Sequence, residues 1–85
     1  MIDMTLVAEV AEIVRRAAKV PPHLVINGES LLVEDLAIDS LDLVGVLLAV
    51  QDHFDIAIED DVVPSLRRIV DLADYVSRNR GLAAA

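Results

Sequence analysis

Cysteine is absent, so the chain forms no disulfide, offers no thiolate to a metal and carries no cysteine nucleophile. Any thiol chemistry needs a sulfur supplied from outside the chain. Aromatic side chains are nearly absent too: Phe54 and Tyr75 are the only two. With 55% of residues hydrophobic, the core has to be aliphatic, and there is enough apolar surface to make disorder a poor description. The three glycines lie far apart and build no phosphate-cradling loop. Charges interrupt every apolar run and the N-terminus lacks a basic region, so neither a spanning helix nor a signal peptide is expected. The chain reads as soluble and cytoplasmic.

Positive charge is missing from the middle of the sequence. Residues 20–66 hold ten acids and no Lys or Arg, whereas residues 1–19 balance and residues 67–85 are net positive; the whole chain is at −8. Such a field repels nucleic acid and anionic membrane and attracts proteins with basic docking surfaces. At 85 residues there is room for one small core, hence one domain spanning 1–85.

Periodicity predicts helices. Leu6, Val10, Ile13 and Ala17 share one face of a first helix over 4–18, with Asp3 or Thr5 as its cap and Pro21-Pro22 as its stop. Residues 20–38 form a long connection with a turn at Asn27-Gly28. Its flanking arms are too short for a stable hairpin. Val25, Leu31, Leu32 and Leu36 are expected to anchor this loop across the core, and Ser30 to Leu36 to include a helical turn. A second helix spans 40–54, with Leu43, Leu47, Val50 and Phe54 inward, Val46 beside them, and Leu41, Val44 and Leu48 in a second apolar row. A helix apolar over so much of its surface is either central or exposes greasy surface for use. Gly45 costs about 1 kcal/mol relative to Ala at such a position. A short third helix over 59–63 ends at Pro64. Ser65 caps a fourth over 66–80, which buries Ile69, Leu72, Ala73 and Val76 and stops at Gly81. The expected fold is all-α: a small four-helix bundle, three main helices plus one short one, with a long first loop.

Catalytic constellations are scarce. His23 and His53 read as ordinary surface residues. Asp55, Glu59, Asp60 and Asp61 miss the spacing of a calcium loop, and a helical domain of this size offers little concavity for a triad. No catalytic residue and no metal site is assigned. Ser40 is the exception worth pursuing. It opens the second helix, where free backbone N–H groups and the helix dipole favour an attached phosphate, and Asp39 before it is placed to help hold a divalent metal during phosphate transfer. The bland reading of Ser40 is an N-cap.

Context decides between them. Glu34-Asp35-Leu36-Ala37-Ile38-Asp39-Ser40-Leu41-Asp42, followed by an apolar helix to Phe54 and then Ile56-Ala57-Ile58, resembles the acyl carrier protein family over essentially the whole chain. The resemblance implies a single carrier-protein domain that is not an enzyme. It implies 4′-phosphopantetheine on Ser40, installed from coenzyme A by a magnesium-dependent phosphopantetheinyl transferase. The arm's thiol then supplies the sulfur that the sequence lacks and holds acyl groups as thioesters. By the same resemblance Asp39 assists at the transferase, Leu41 enters apolar pockets of partner enzymes, Asp42 meets their basic residues, and Val44 and Leu48 contact partners or the tethered chain. Gly45 and Asp52 complete the expected partner face. The partners are the transferase and acyl-loading and acyl-transfer enzymes with basic docking patches; a monomer is expected.

The sequence departs from the family's common pattern at Gly45 and Gln51, where acids are frequent, at Ala37, which is often Gly, and near Glu59, where a Pro is missing. Those departures make the second helix less acidic than in a general fatty-acid carrier, which argues against service to the ordinary fatty-acid synthase and for a specialised pathway: a modified lipid, a polyketide or an amino-acyl transfer. Two alternatives are an amino-acyl or peptidyl carrier of a nonribosomal pathway and an unmodified acidic helical interaction module.

Overall fold

The computed structural model describes the backbone of residues 4–84 and the side chains of residues 4–79. Among the described residues three α-helices form, α1 (Met4–Ala17), α2 (Ser40–Phe54) and α3 (Ile69–Ala84), and both α2 and α3 pack on α1. No strand occurs among the described residues, only an isolated bridge between Leu31 and Arg68. The expected all-α architecture with a long first loop is what forms. The short helix expected over 59–63 is instead a single 3-10 turn at Val63–Ser65, with Pro64 inside it. Proline fits there because the first turn of a helix does not use its N–H.

The end of α1 is made by the backbone rather than by the prolines. Lys19 adopts a left-handed conformation (φ 53°), and the Val20 N–H returns to the Arg15 carbonyl at 3.0 Å. This closure satisfies a terminal carbonyl and seats Val20 in the core. Pro21 and Pro22 lie beyond the stop. The Arg15 guanidinium then donates to the carbonyls of Pro21 (2.9 Å) and Leu24 (2.8 Å), tying the first bend of the loop to the helix. Thr5 lies within α1 rather than capping it, and Asp3 is outside the described residues.

The long loop crosses the core as expected on Leu32 and Leu36, but two of the four expected anchors do not serve: Leu31 is only half-buried and outside the core cluster, and Val25 faces out. Leu32, Leu36 and Ile38 are buried, but Val25 is 77% exposed, because the partly buried neighbours Leu24 and Ile26 take the inward positions in the extended segment. Asn27 makes the expected turn: its side-chain oxygen accepts from the Glu29 N–H at 2.9 Å, and its carbonyl from the Ser30 N–H. The helical turn expected after Ser30 is present, with the Asp35 N–H on the Leu31 carbonyl at 3.0 Å.

This loop also covers the start of α3. The Ile69 and Val70 N–H groups donate to the carbonyls of Ser30 (3.2 Å) and Gly28 (2.9 Å), so loop backbone satisfies amides that the helix cannot. Ser65 is not the cap; its hydroxyl donates to the Val62 carbonyl, and the helix begins four residues later. Asp71 does the capping, accepting from the Arg68 and Arg67 N–H groups (2.9 and 3.2 Å) and from the Arg68 guanidinium (3.0 Å). At its other end α3 runs through Gly81 to Ala84, since one glycine among good helix formers costs about 1 kcal/mol and need not end a helix.

Partial burial pushes the Asp71 carboxyl upward, but the hydrogen bonds from Arg68 and from the two amides outweigh it and hold the acid below the ordinary carboxylate range. A depressed pKa contributes stability above the unfolded-state value that disappears as pH falls through the folded value. Asp71→Asn should therefore lower stability at neutral pH, and the gap from the parent should close in strong acid. Urea melts across that range check the sign.

Candidate functional site

The two helix starts that carry loops differ in accessibility. The first amides of α3 are covered by loop carbonyls, whereas α2 begins at the surface. Asp39 sits just before α2 in extended geometry (φ −79°, ψ 172°), and its carboxylate accepts from the Asp42 N–H at 2.8 Å. Asp39 is thus the N-cap, and Ser40 is the first helical residue. By their position the Ser40 and Leu41 N–H groups have no partner within the helix. Ser40 is exposed, and its hydroxyl makes no hydrogen bond among the described residues. The N-cap reading of Ser40 is incorrect because the neighbouring carboxylate has taken that duty. What is left is a solvent-facing hydroxyl at the positive end of a fifteen-residue helix.

Beside Ser40 lies a cleft of about 390 Å³, lined by Leu43, Val44, Leu47, Leu48, Ile58 and Val63, with Gln51 and Asp60 as its other polar members. Ser40 stands among its lining residues. The wall is hydrocarbon because α2 carries aliphatic residues on this side and the segments after it contribute Ile58 and Val63. The arrangement brings together an exposed hydroxyl, first-turn amides that the helix does not use, and an apolar recess.

The residues expected at a partner surface fall into a pattern finer than two rows. Leu41, Gly45, Leu48 and Asp52 follow one line along α2 at helical spacing, all exposed. Leu41 is 81% exposed and Leu48 60%, values that no core role explains. Val44, 54% exposed, leans toward the Ser40 cleft. On the opposite side Asp52 borders a groove between α1 and α2 with Ile13, Arg16, Ala49 and His53. Asp42 is exposed at the N-terminal end of the ridge.

Gly45 is not required by the fold. Its backbone is ordinary helix, and a Cβ placed there meets no atom within 4 Å. Gly45→Ala should therefore raise stability by about 0.5–1 kcal/mol, seen as an upward shift in a thermal melt.

Some contributors were not legible as such. Gln51 reads in the sequence as a missing acid, yet its side chain bonds the Ile58 N–H at 3.0 Å and holds part of the cleft wall. Tyr75 donates to the Ala57 carbonyl at 2.9 Å. His53, exposed as expected, pairs with Glu9 of α1 at 3.3 Å and sets its ring edge-on to Phe54. Among the described residues no cluster of His, Cys, Asp and Glu could hold a metal ion, and no helix is long and apolar enough to cross a membrane.

The site is thus an exposed serine hydroxyl at a helix start, beside a hydrocarbon cleft in a small helical fold. A family profile described as the phosphopantetheine attachment site matches residues 8–76. Among curated proteins, an acyl carrier protein of Thermobifida fusca is 38% identical over 80% of this chain and 85% of its own length. Another, of Syntrophobacter fumaroxidans, is 38% identical over 66% of this chain and 69% of its own. A mitochondrial acyl carrier protein of Saccharomyces cerevisiae is 39% identical over 64% of this chain and 43% of its own length. The chain belongs to the acyl carrier protein family. It is a carrier rather than an enzyme, and its cofactor is covalent 4′-phosphopantetheine.

Proposed function

We propose that Ser40 is the attachment residue and that the chain shuttles acyl thioesters between enzymes of fatty-acid or specialised lipid and polyketide synthesis. The observation that carries this is the division of labour at the start of α2: Asp39 caps the helix, which leaves the Ser40 hydroxyl exposed and uncommitted. In the modification, Ser40 Oγ forms a new phosphodiester bond while the pyrophosphate link of coenzyme A breaks. The adenosine bisphosphate leaves, and the hydroxyl proton passes to a base supplied by the transferase. A phosphate held there would stand near the first-turn amides of α2, whose N–H groups and helix dipole favour an anion. When bound, the arm supplies a terminal thiol that holds cargo as a thioester, the chemistry this cysteine-free chain lacks.

Cargo and partners follow from the surroundings. The aliphatic wall of the cleft suits a hydrocarbon chain better than a polar amino-acyl group, so the lipid or polyketide reading is preferred to the nonribosomal one. An unmodified interaction module does not agree with membership of a phosphopantetheine-bearing family. Leu41, Gly45 and Leu48 form the partner ridge, with Val44 at the cleft side and Asp42 and Asp52 as its charged ends; Asp39 contributes at the transferase. Gly45 costs helix stability that nothing inside the fold recovers, which supports close approach of a partner backbone. Ten acids without a base in residues 20–66 support partners with basic patches. We place this single-domain carrier in the cytoplasm as a monomer.

Intact mass after incubation with coenzyme A, magnesium and a broad-range transferase tests the attachment. One pantetheinyl phosphate per chain is expected, and an unchanged mass refutes the reading. Transferase affinity should fall as salt rises; salt-independent binding would remove the acidic segment from the docking step.

A further inference from the structure

The segment leaving α2 is fastened from both sides beside the Ser40 cleft. Asp55 adopts a left-handed conformation (φ 55°) and turns the chain back, so that the Ile56 N–H reaches the Gln51 carbonyl at 3.1 Å. Two residues on, the Ile58 N–H donates to Gln51 Oε1 at 3.0 Å, while Gln51 Nε2 donates to the Leu47 carbonyl at 3.3 Å. From α3, the Tyr75 hydroxyl donates to the carbonyl of Ala57 at 2.9 Å. Consecutive residues of one strap are thus held by side chains from two different helices.

The strap's buried side chain is Ile58, and Ile58 lines the cleft. Its neighbours do little to fix it: Ala57 and Glu59 are exposed and Ile56 is half-buried. The helices that face it carry residues of zero exposure, including Val46, Val50, Leu72 and Val76. Beside α2, which buries Val46, Leu47, Val50 and Phe54, the strap has a single buried side chain to release, and segments with few buried contacts open before the helices they lie on. Moving it widens the recess, because Ile58 moves with it.

Gln51 suits this position through its chemistry. An amide both accepts from Ile58 and donates to Leu47, whereas an ionised carboxylate only accepts. Both of these hydrogen bonds engage backbone groups, so the amide's structural role is to place the strap.

We propose that the Gln51–Ile58 and Tyr75–Ala57 hydrogen bonds form a clasp that sets how long an apolar acyl chain the cleft shelters, with Gln51 as a positioning residue for cargo selection. A short chain fits with the clasp closed, and a longer one displaces Ile58 and opens it. The proposal rests on the reading that Ser40 carries the arm.

The test loads the full chain, labelled with nitrogen-15, with octanoyl or hexadecanoyl pantetheine from the matching acyl-coenzyme A through the transferase. Intact mass reports loading. Two further readouts are hydrogen exchange at the Ile58 amide and the rate at which hydroxylamine cleaves the thioester. In the parent, the hexadecanoyl chain should speed Ile58 exchange relative to the octanoyl chain. Gln51→Leu should speed that exchange roughly five-fold or more before any loading, the equivalent of one ordinary hydrogen bond, and should reduce the difference in shielding between the two chains. Gln51→Glu retains the acceptor and should restore much of the Ile58 protection. Tyr75→Phe, which removes one hydroxyl, should act in the direction of Gln51→Leu.

Normal loading with parent-like exchange and shielding in Gln51→Leu and Tyr75→Phe overturns the clasp and leaves the carrier reading intact. A parent chain that gains no mass overturns both.

Discussion

Ser40→Ala should gain no mass from coenzyme A and transferase, yet melt as a folded protein close to the parent. The first half follows from chemistry, since alanine has no oxygen to form the phosphodiester. The second follows from where the cap is. Had Ser40 been the N-cap, its loss would cost about 1 kcal/mol. The cap is Asp39, through its 2.8 Å bond to the Asp42 N–H, and Ser40 is an exposed first-turn residue. Alanine is a good helix former there, so the change should stay within about 0.5 kcal/mol, as for surface substitutions generally. Asp39→Ala supplies the contrast: it leaves the hydroxyl in place but removes the cap, at a cost of roughly 0.5–2 kcal/mol. The pair separates loss of the hydroxyl from loss of the helix cap at adjacent positions. A mass increase that survives Ser40→Ala would move the attachment elsewhere; a Ser40→Ala chain without a cooperative melt would mean that the hydroxyl carries structure.

The sequence makes some of this legible and hides the rest for physical reasons. Helices announce themselves because their buried residues recur at helical spacing: Ile69, Leu72, Ala73 and Val76 are all buried as that spacing requires. Exposed Leu41 and Leu48 are legible in the same way, as apolar residues left over once the inward stripe of α2 is filled. Helix ends are harder to read, because the groups that close them come from elsewhere. The start of α3 is set by Asp71 and by carbonyls of Gly28 and Ser30, some forty residues upstream, so the local Ser65 signal misleads. Likewise α1 stops at Lys19 through a left-handed backbone that no residue type demands. Ala37 carries the converse lesson. Its φ of 55° lies where glycine is favoured, a backbone demand that the alanine there does not announce. From the sequence Gln51 reads only as a missing acid. Its bond to Ile58 depends on a turn at Asp55 that periodicity does not encode.

Phe54→Ala should be the most damaging single truncation, at about 3–5 kcal/mol. With only two aromatics in the chain, Phe54 is the one that lies in the core, 7% exposed at the last turn of α2. The other buried members of the core are aliphatic, so the core holds no second ring to take up the space it leaves. Its ring also meets the edge of His53, whose imidazole pairs with Glu9 of α1, so the truncation removes the packing surface beneath an α1–α2 tie. A domain of this length has a total stability of roughly 4–13 kcal/mol, at about 0.05–0.15 kcal/mol per residue. The loss therefore consumes a large share of that total and, at the low end, all of it. Denaturation followed by circular dichroism should show a midpoint far below that of Ser40→Ala, or no folded baseline. The consequence for function is indirect: with α2 destabilised, Ser40 keeps its hydroxyl but loses the helix start that presents it, so modification should slow in proportion to the unfolded fraction. A Phe54→Ala chain that melts within about 1 kcal/mol of the parent would show that the core relaxes around the loss far more than a close-packed interior does.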